Sequence, residues 1–256
     1  MIKTLYTLVL ILVANWLLSS LVLSFDLDPE SLNYFLARNL QKALLLGVCL
    51  YVVLRSKFRP KLLSNSIWAI PLSLILIALA YNQVDSASGA QKIFVPIGTH
   101  LAFLFGCILV GFFEEFLFRV YVFCEFWGRK STNSLGLKSL LKTVFLTSVL
   151  FGIAHATNLF RTGYSAEGVI NQVLLAITLG VLFQALFIRF NNVVLIAVLH
   201  GLVNYLGSYR SALFGLTVDP SPFILTDFLI GLAIIFAILL FVVTPISIML
   251  IKPKLD

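Results

Sequence analysis

Two adjacent carboxylates and an arginine interrupt an otherwise apolar stretch of the chain. The stretch from Gly111 to Arg119 reads GFFEEFLFR, so Glu114, Glu115 and Arg119 lie among phenylalanines. A charged side chain at the centre of a membrane-spanning helix costs roughly 2.5–3.5 kcal/mol on insertion scales. Charges that are kept in such a stretch are therefore expected to serve chemistry, transport or helix packing.

Helical spacing separates the roles of the two glutamates. Glu115 and Arg119 are four residues apart on one helix face, in the order that favours an ion pair. Glu114 points about 100° away, so its partner must lie on another helix or in a hydrated cavity. A buried carboxylate without a local cation is suited to act as a general base. We therefore expect Glu115 and Arg119 to be structural and Glu114 to do chemistry.

Histidines occur in two later apolar stretches, each within a short pattern. His155 follows Phe151 by four residues, and His200 precedes Asn204 by four residues. Because residues four apart share a helix face, His200 and Asn204 direct two hydrogen-bond donors the same way. Such a pair can stabilise a developing oxyanion. His100 belongs to no such pattern and is expected to be an interfacial residue.

The ordered set of patterns resembles a known family. Glu-Glu-x-x-x-Arg, Phe-x-x-x-His and His-x-x-x-Asn, each complete and each on a separate apolar stretch, resemble the CPBP family of CAAX prenyl proteases and bacteriocin-processing, Abi-like proteins. The resemblance runs from about Gly111 to Asn204. It implies an intramembrane endopeptidase of about eight helices that cuts a membrane-associated or lipidated peptide.

The resemblance also implies a role for each residue. Glu114 would be the catalytic glutamate and would activate a water molecule together with His155. His200 and Asn204 would stabilise the tetrahedral oxyanion. The supporting, structural residues would be Glu115, Arg119 and Phe151.

A zinc site is the alternative use of the same residues. Glu114, His155 and His200 could supply three ligands and leave a fourth position for water. The chain lacks His-Glu-x-x-His, in which a separate glutamate serves as the base. If Glu114 held a metal, Glu115 would be the only remaining candidate for the general base. Glu115 is expected to be engaged in the ion pair with Arg119. We therefore favour a metal-free glutamic endopeptidase without a cofactor.

The composition predicts the elements that must position these residues. The chain has 256 residues, of which 60% are hydrophobic and 11% charged, against about 25% charged in soluble proteins. We predict an all-α, polytopic membrane protein, with one domain over residues 1–256 and a protease-like core at about 97–208. The net charge of +7 is scattered, which argues against nucleic acid as a partner. The chain has three cysteines, Cys49, Cys107 and Cys124, and their spacing is not that of metal ligands. They indicate neither disulfides nor a metal site.

Apolar stretches long enough to cross a bilayer recur along the chain. We predict eight spans, of which the seventh is the weakest because it is short: 4–25, 34–54, 65–84, 97–124, 138–158, 168–188, 191–208 and 223–250. The first is interpreted as a helix and not as a cleaved signal peptide, because it lacks a small-residue cleavage site.

The distribution of basic residues predicts the orientation. With the amino terminus in the cytoplasm, about twelve Lys and Arg residues fall on inner segments. The outer segments receive five, with Arg38 and Lys42 counted among them. We therefore expect both termini to be cytoplasmic, in the cell membrane of a bacterium.

Two other functions stay open at the level of sequence. A catalytically idle scaffold or bacteriocin-immunity protein would act by binding a partner, but it has no need for costly buried charges. A proton-coupled transporter would use glutamate and histidine as a relay, but it is expected to show inverted repeats, which the sequence lacks. Whether the substrate is prenylated is not encoded in these patterns.

Overall fold

The computed structural model describes residues 2–28, 31–56, 95–128, 136–160, 165–214 and 243–251. Every regular element in these ranges is helical. The helices are α1 (Ile2–Leu23), α2 (Leu32–Arg55), α3 (Ile97–Trp127), α4 (Leu137–His155), α5 (Ala166–Phe190), α6 (Val193–Phe214) and α7 (Thr244–Ile251). A 3₁₀ turn, Ala156–Phe160, follows α4.

Helices α1 to α5 are each long and apolar enough to cross a membrane. With the 3₁₀ turn counted as part of the α4 span, the shortest of these spans has 22 residues, which at about 1.5 Å per residue exceeds the roughly 30 Å of a hydrocarbon core. Helix α6, which corresponds to the seventh predicted span, has 22 residues and includes the apolar stretch Val193–Ser208. The all-α, polytopic membrane class is confirmed.

Part of the predicted topology lies outside the described residues. This applies to the third span, 65–84, and to the eighth, 223–250, apart from the stretch that α7 covers. The count of eight and the cytoplasmic location of both termini therefore stay predictions.

Apolar side chains cover much of the outer surface of α1 and α2. Leu17, Leu40 and Leu54 are each more than half exposed, and many similar side chains accompany them. Soluble monomers rarely present so large a contiguous apolar surface. We assign this surface to the lipid.

The helices end where the sequence carries capping residues. The hydroxyl of Ser165 accepts a hydrogen bond from the backbone N–H of Gly168 at the start of α5. At its other end Asn191 adopts the left-handed conformation, with φ of 50°, and closes the helix. Asn192 then caps α6 through the N–H of Leu195. The predicted break at Asn191 and Asn192 is confirmed as a two-residue turn.

Glycine brings the backbones of α3 and α6 into contact. A Cβ atom on Gly201 would lie 2.7 Å from the Cα of Ile108 and 2.9 Å from the carbonyl oxygen of Cys107. A Cβ on Gly111 would meet the carbonyl oxygen of Ala197 and lie 2.8 Å from the backbone nitrogen of Gly201. Small residues permit such close approach between membrane helices. The contact sets α6 directly beside the carboxylates of α3.

A second pair of glycines joins α4 to α5. A Cβ on Gly152 would lie 2.8 Å from the carbonyl oxygen of Val173, and one on Gly180 would lie 3.0 Å from the Cβ of Ser148. Gly152 directly follows Phe151, so this contact positions the part of α4 that carries His155.

We predict that Gly201→Ala destabilises the protein. The new methyl group would meet backbone atoms that cannot rotate away, and overpacking of this kind costs about 1–3 kcal/mol. Gly207→Ala is the matched control on the same helix, since a Cβ there meets nothing within 4 Å. In detergent micelles, the thermal unfolding midpoint followed by circular dichroism should fall for Gly201→Ala alone. Equal midpoints for the two variants would refute the close-contact argument.

Candidate active site

A fully buried ion pair lies beneath the site. Arg119 Nε is 3.0 Å from Glu115 Oε2, and both side chains are 0% exposed. The guanidinium also lies over the ring of Phe151, with Cζ 4.7 Å from the ring centroid, a favourable cation–π arrangement. The ion pair expected from the four-residue spacing is present.

His200 extends this pair towards the second glutamate. Its Nδ1 lies 2.8 Å from Glu115 Oε1. An ionised carboxylate only accepts hydrogen bonds, so Nδ1 is the donor. The other ring nitrogen, Nε2, lies 3.5 Å from Glu114 Oε2. One row of neighbouring side chains thus runs through Arg119, Glu115, His200 and Glu114, and we name it the polar row.

The sequence did not reveal the contact between His200 and Glu115. The two residues are 85 positions apart, and spacing along one helix carries no information about a contact between helices. The close packing of α3 on α6 at Gly111 and Gly201 brings them together.

The two neighbouring glutamates occupy different environments. The Glu115 side chain is 0% exposed, whereas that of Glu114 is 19% exposed and lines a cavity of about 360 Å³. Oε2 of Glu114 has no hydrogen bond to any described residue. Glu114 therefore faces a cavity and lies next to His200 of another helix, at 3.5 Å.

The α-helical part of α3 ends directly after these carboxylates. Ile97–Glu115 is α-helical, and the next seven residues, Phe116–Val122, form a π-helical segment that contains Arg119. Widened helical turns of this kind are frequent at functional sites.

His155 lines the same cavity as Glu114. Its Nδ1 lies 3.0 Å from the carbonyl oxygen of Phe151. A carbonyl oxygen can only accept, so Nδ1 carries the hydrogen, and in a neutral imidazole Nε2 is then an acceptor. The sequence left it open whether Glu114 and His155 could meet, because they fall at different depths in their spans. Both side chains line one cavity, in spite of that difference in depth.

The histidine and asparagine of α6 are placed differently. Asn204 lines the cavity together with Glu114 and His155. His200 is 4% exposed and lies in the polar row behind Glu114. The two residues, four positions apart on α6, thus lie in different surroundings: His200 lies in the polar row and Asn204 lines the cavity.

The ring of Phe151 packs against Arg119 and against both candidate histidines, His155 and His200. It is 2% exposed, and its ring centroid lies 4.9 Å from that of His155 and 5.8 Å from that of His200. With Arg119 stacked on it as well, this ring contacts side chains from three helices. Its expected supporting role agrees with this position.

The cavity also contains polar residues that the sequence analysis did not assign to the site. Arg38, Asn39 and Lys42 of α2 line it, although Arg38 and Lys42 were counted with the outer segments. Their side chains face the cavity because α2 packs against α3, and their assignment to the outer side of the membrane stays a prediction. The signal was present in the four-residue spacing of the two cations within a predicted span.

Asn158 and Gln172 form a further polar pair in the cavity lining. Asn158 Nδ2 donates to Gln172 Oε1 at 2.8 Å, which links the turn after α4 to α5. This is the interhelical contact expected of polar side chains in membrane helices.

The alternative zinc ligands can be compared with this geometry. Among the described residues, no group of three or more His, Cys, Asp or Glu side chains is arranged to hold a metal ion. Both His200 nitrogens face carboxylates, Nδ1 towards Glu115 and Nε2 towards Glu114. Glu114, His155 and His200 thus do not form a ready three-ligand set here.

Comparison with known proteins gives one match. Residues 96–206 match the family described as Rce1-like, type II CAAX prenyl endopeptidase Rce1-like. No curated protein and no solved structure matches the chain. The matched segment contains the three motifs and every member of the polar row, so the family resemblance of the motifs is confirmed. Residues 96–206 of this membrane protein are therefore similar to the Rce1-like type II CAAX prenyl endopeptidase family.

Proposed function

We propose that this protein is an intramembrane endopeptidase that hydrolyses a peptide bond in a membrane-associated or lipidated peptide. One observation carries the proposal. Glu114, with an oxygen that has no hydrogen bond to a described residue, shares a cavity with His155, whose Nε2 is available as an acceptor. A carboxylate and an imidazole in one cavity can polarise a water molecule.

The proposed reaction begins with that water molecule. Its oxygen attacks the carbonyl carbon of the scissile bond, and its proton passes to Glu114 while His155 orients it through Nε2. The tetrahedral intermediate then collapses as the C–N bond breaks, and the proton held by Glu114 is delivered to the leaving amine. General acid–base catalysis of this kind contributes typically 10²–10⁴-fold to the rate.

The oxyanion of the intermediate needs hydrogen-bond donors. We assign this role to the side-chain amide of Asn204 and to Nε2 of His200, in the form of His200 that carries hydrogen on both ring nitrogens. Asn204 lines the cavity, and His200 Nε2 lies beside Glu114. Glu115 holds the His200 ring by its other nitrogen, and Arg119 balances the charge of Glu115. The buried pair therefore orients a donor before substrate binds, as electrostatic stabilisation requires.

Glu114→Gln tests the general base. We expect kcat to fall by about 10²–10⁴-fold, because the amide cannot accept the proton. Glu125→Gln is the matched control, with the same change on the same helix outside the cavity lining. Cleavage of a panel of membrane-anchored peptides by purified protein is the measurement. Undiminished turnover in Glu114→Gln would contradict the proposal. If the wild-type protein cleaves no peptide of the panel, the catalytically idle scaffold is favoured.

Asn204→Ala tests the oxyanion site. Loss of one such donor costs about 10²–10³-fold in kcat, with little change in KM, since the interaction strengthens only in the transition state. Ser208→Ala is the control, because Ser208 lies one turn further along α6 and also lines the cavity. An equal effect of both substitutions would indicate a general change of the cavity and would contradict the assigned role.

A chelator tests the metal-free mechanism. Under the proposal, wild-type turnover persists after incubation with a strong chelator and dialysis. Turnover that is lost on chelation and restored by zinc would reject the metal-free mechanism. It would then favour Glu114, His155 and His200 as ligands.

A further inference from the structure

A pair of side-chain amides lines the same cavity as the catalytic candidates. Asn158 belongs to the 3₁₀ turn after α4, and Gln172 belongs to α5. Both line the cavity that contains Glu114 and His155. Asn158 Nδ2 donates to Gln172 Oε1 at 2.8 Å. The reaction proposed above uses neither residue.

This hydrogen bond engages only part of what the two amides offer. A side-chain amide carries one acceptor oxygen and one NH₂ donor group. The bond takes the donor group of Asn158 and the acceptor of Gln172. Oδ1 of Asn158, an acceptor, and Nε2 of Gln172, a donor, make no hydrogen bond to a described residue. The pair therefore presents one acceptor and one donor next to each other.

An extended peptide displays the complementary groups along its backbone. The N–H and the C=O of one residue point to the same side of an extended strand, and paired strands exchange hydrogen bonds through them. The amide pair can receive both groups of one residue in the same manner, because Asn158 Oδ1 accepts from the N–H and Gln172 Nε2 donates to the C=O. This recognition is directed at the backbone and is independent of the substrate's side chains.

A location inside a membrane protein makes such partners necessary. A peptide bond that is to be cut must be presented by an unfolded segment, whose backbone N–H and C=O groups are not paired with each other. Unpaired backbone groups are costly where water is scarce. Asn158 is only 8% exposed, so bulk water competes little for its amide. A substrate backbone that enters the cavity therefore gains from this pair what water no longer supplies.

The pair lies at a short distance along the chain from one of the reacting groups. His155 is the last residue of α4, and Asn158 follows in the 3₁₀ turn. At about 2.0 Å per residue, three residues of such a turn advance about 6 Å. An extended peptide advances about 3.3 Å per residue, so this length corresponds to about two residues of substrate. The amide pair is thus suited to a residue about two positions from the scissile bond.

We propose that Asn158 and Gln172 form a subsite for the substrate backbone, which binds the N–H and C=O of one residue near the scissile bond. This inference rests on the proposed peptidase function. The cavity of about 360 Å³ is at the lower end of ligand pockets, roughly 300–1,000 Å³, so it admits a short extended segment. The hydrogen bond between the two amides orients both of them before the peptide binds, which lowers the cost of binding.

Peptides that contain an ester test the subsite. Replacement of one backbone amide by an ester removes a single N–H and leaves every side chain unchanged. In a series of fluorescent, membrane-anchored peptides, the ester is moved one position at a time along the chain. The measurement is the affinity for Glu114→Gln protein, by fluorescence anisotropy. At the position whose N–H is bound, we expect the ester to weaken binding about two- to tenfold.

Variants of Asn158, made in the same Glu114→Gln protein, separate backbone binding from helix packing. Asn158→Leu removes the acceptor, so the loss of affinity caused by the ester should disappear. Asn158→Asp keeps an acceptor oxygen and should retain that loss. Asn171→Leu is the matched control, because Asn171 adjoins Gln172, does not line the cavity and has an Oδ1 without a hydrogen bond to a described residue. It should leave the effect of the ester unchanged.

Gln172→Glu tests the donor of the pair. The carboxylate still accepts from Asn158 Nδ2, so the link between the turn and α5 is kept, but it has no N–H to donate. The affinity for every peptide of the series should fall about two- to tenfold, while the effect of the ester persists. Gln172→Met removes the donor without adding a charge and should lower the affinity as well. Gln184→Met is its control, on the same helix and outside the cavity lining.

Three outcomes would overturn the inference. If no position of the ester weakens binding, the backbone is not bound. If the effect of the ester persists in Asn158→Leu, another residue accepts the N–H. In both cases Asn158 and Gln172 serve interhelical packing only. A series of which no peptide binds would also contradict the subsite.

Binding without turnover separates this inference from the catalytic one. An effect of the ester that depends on Asn158, combined with a wild type that cleaves none of the all-amide peptides, refutes only the proposed reaction. Normal cleavage by the wild type, combined with an ester series that has no effect on binding, refutes only the subsite.

Discussion

Charge inside a membrane domain must be compensated locally, and the centre of this structure follows from that constraint. Arg119 and Glu115 are fully buried and pair with each other, and His200 donates to the second oxygen of Glu115. Removal of one member of such a group leaves an uncompensated buried charge, which costs about 3–5 kcal/mol. The polar row therefore holds α3 and α6 in register, and the close glycine contact between these helices makes its distances possible.

Within the polar row, the adjacent residues Glu114 and Glu115 have different environments. Glu115 is fully buried, with Oε2 3.0 Å from Arg119 Nε and Oε1 2.8 Å from His200 Nδ1, whereas Glu114 lines the cavity. A change of one position along a helix thus separates an orienting carboxylate from a candidate base. The cavity gathers groups from several helices, with Glu114 from α3, His155 from α4 and Asn204 from α6.

The cavity lining combines charged side chains of both signs. Arg38 and Lys42 of α2 line it together with the carboxylate of Glu114 from α3, because α2 packs against α3.

Much of this was readable from the amino-acid sequence. Apolar length predicted the described helices, and the asparagine pair at 191–192 predicted their sharpest break. Four-residue spacing predicted the Glu115–Arg119 ion pair and separated Glu114 from it, since both effects act within one helix. Tertiary structure alone decided which helices meet. The contact of His200 with Glu115, the shared cavity of Glu114 and His155, and the inward face of Arg38 and Lys42 all arise between helices distant in sequence, where local periodicity carries no information about packing.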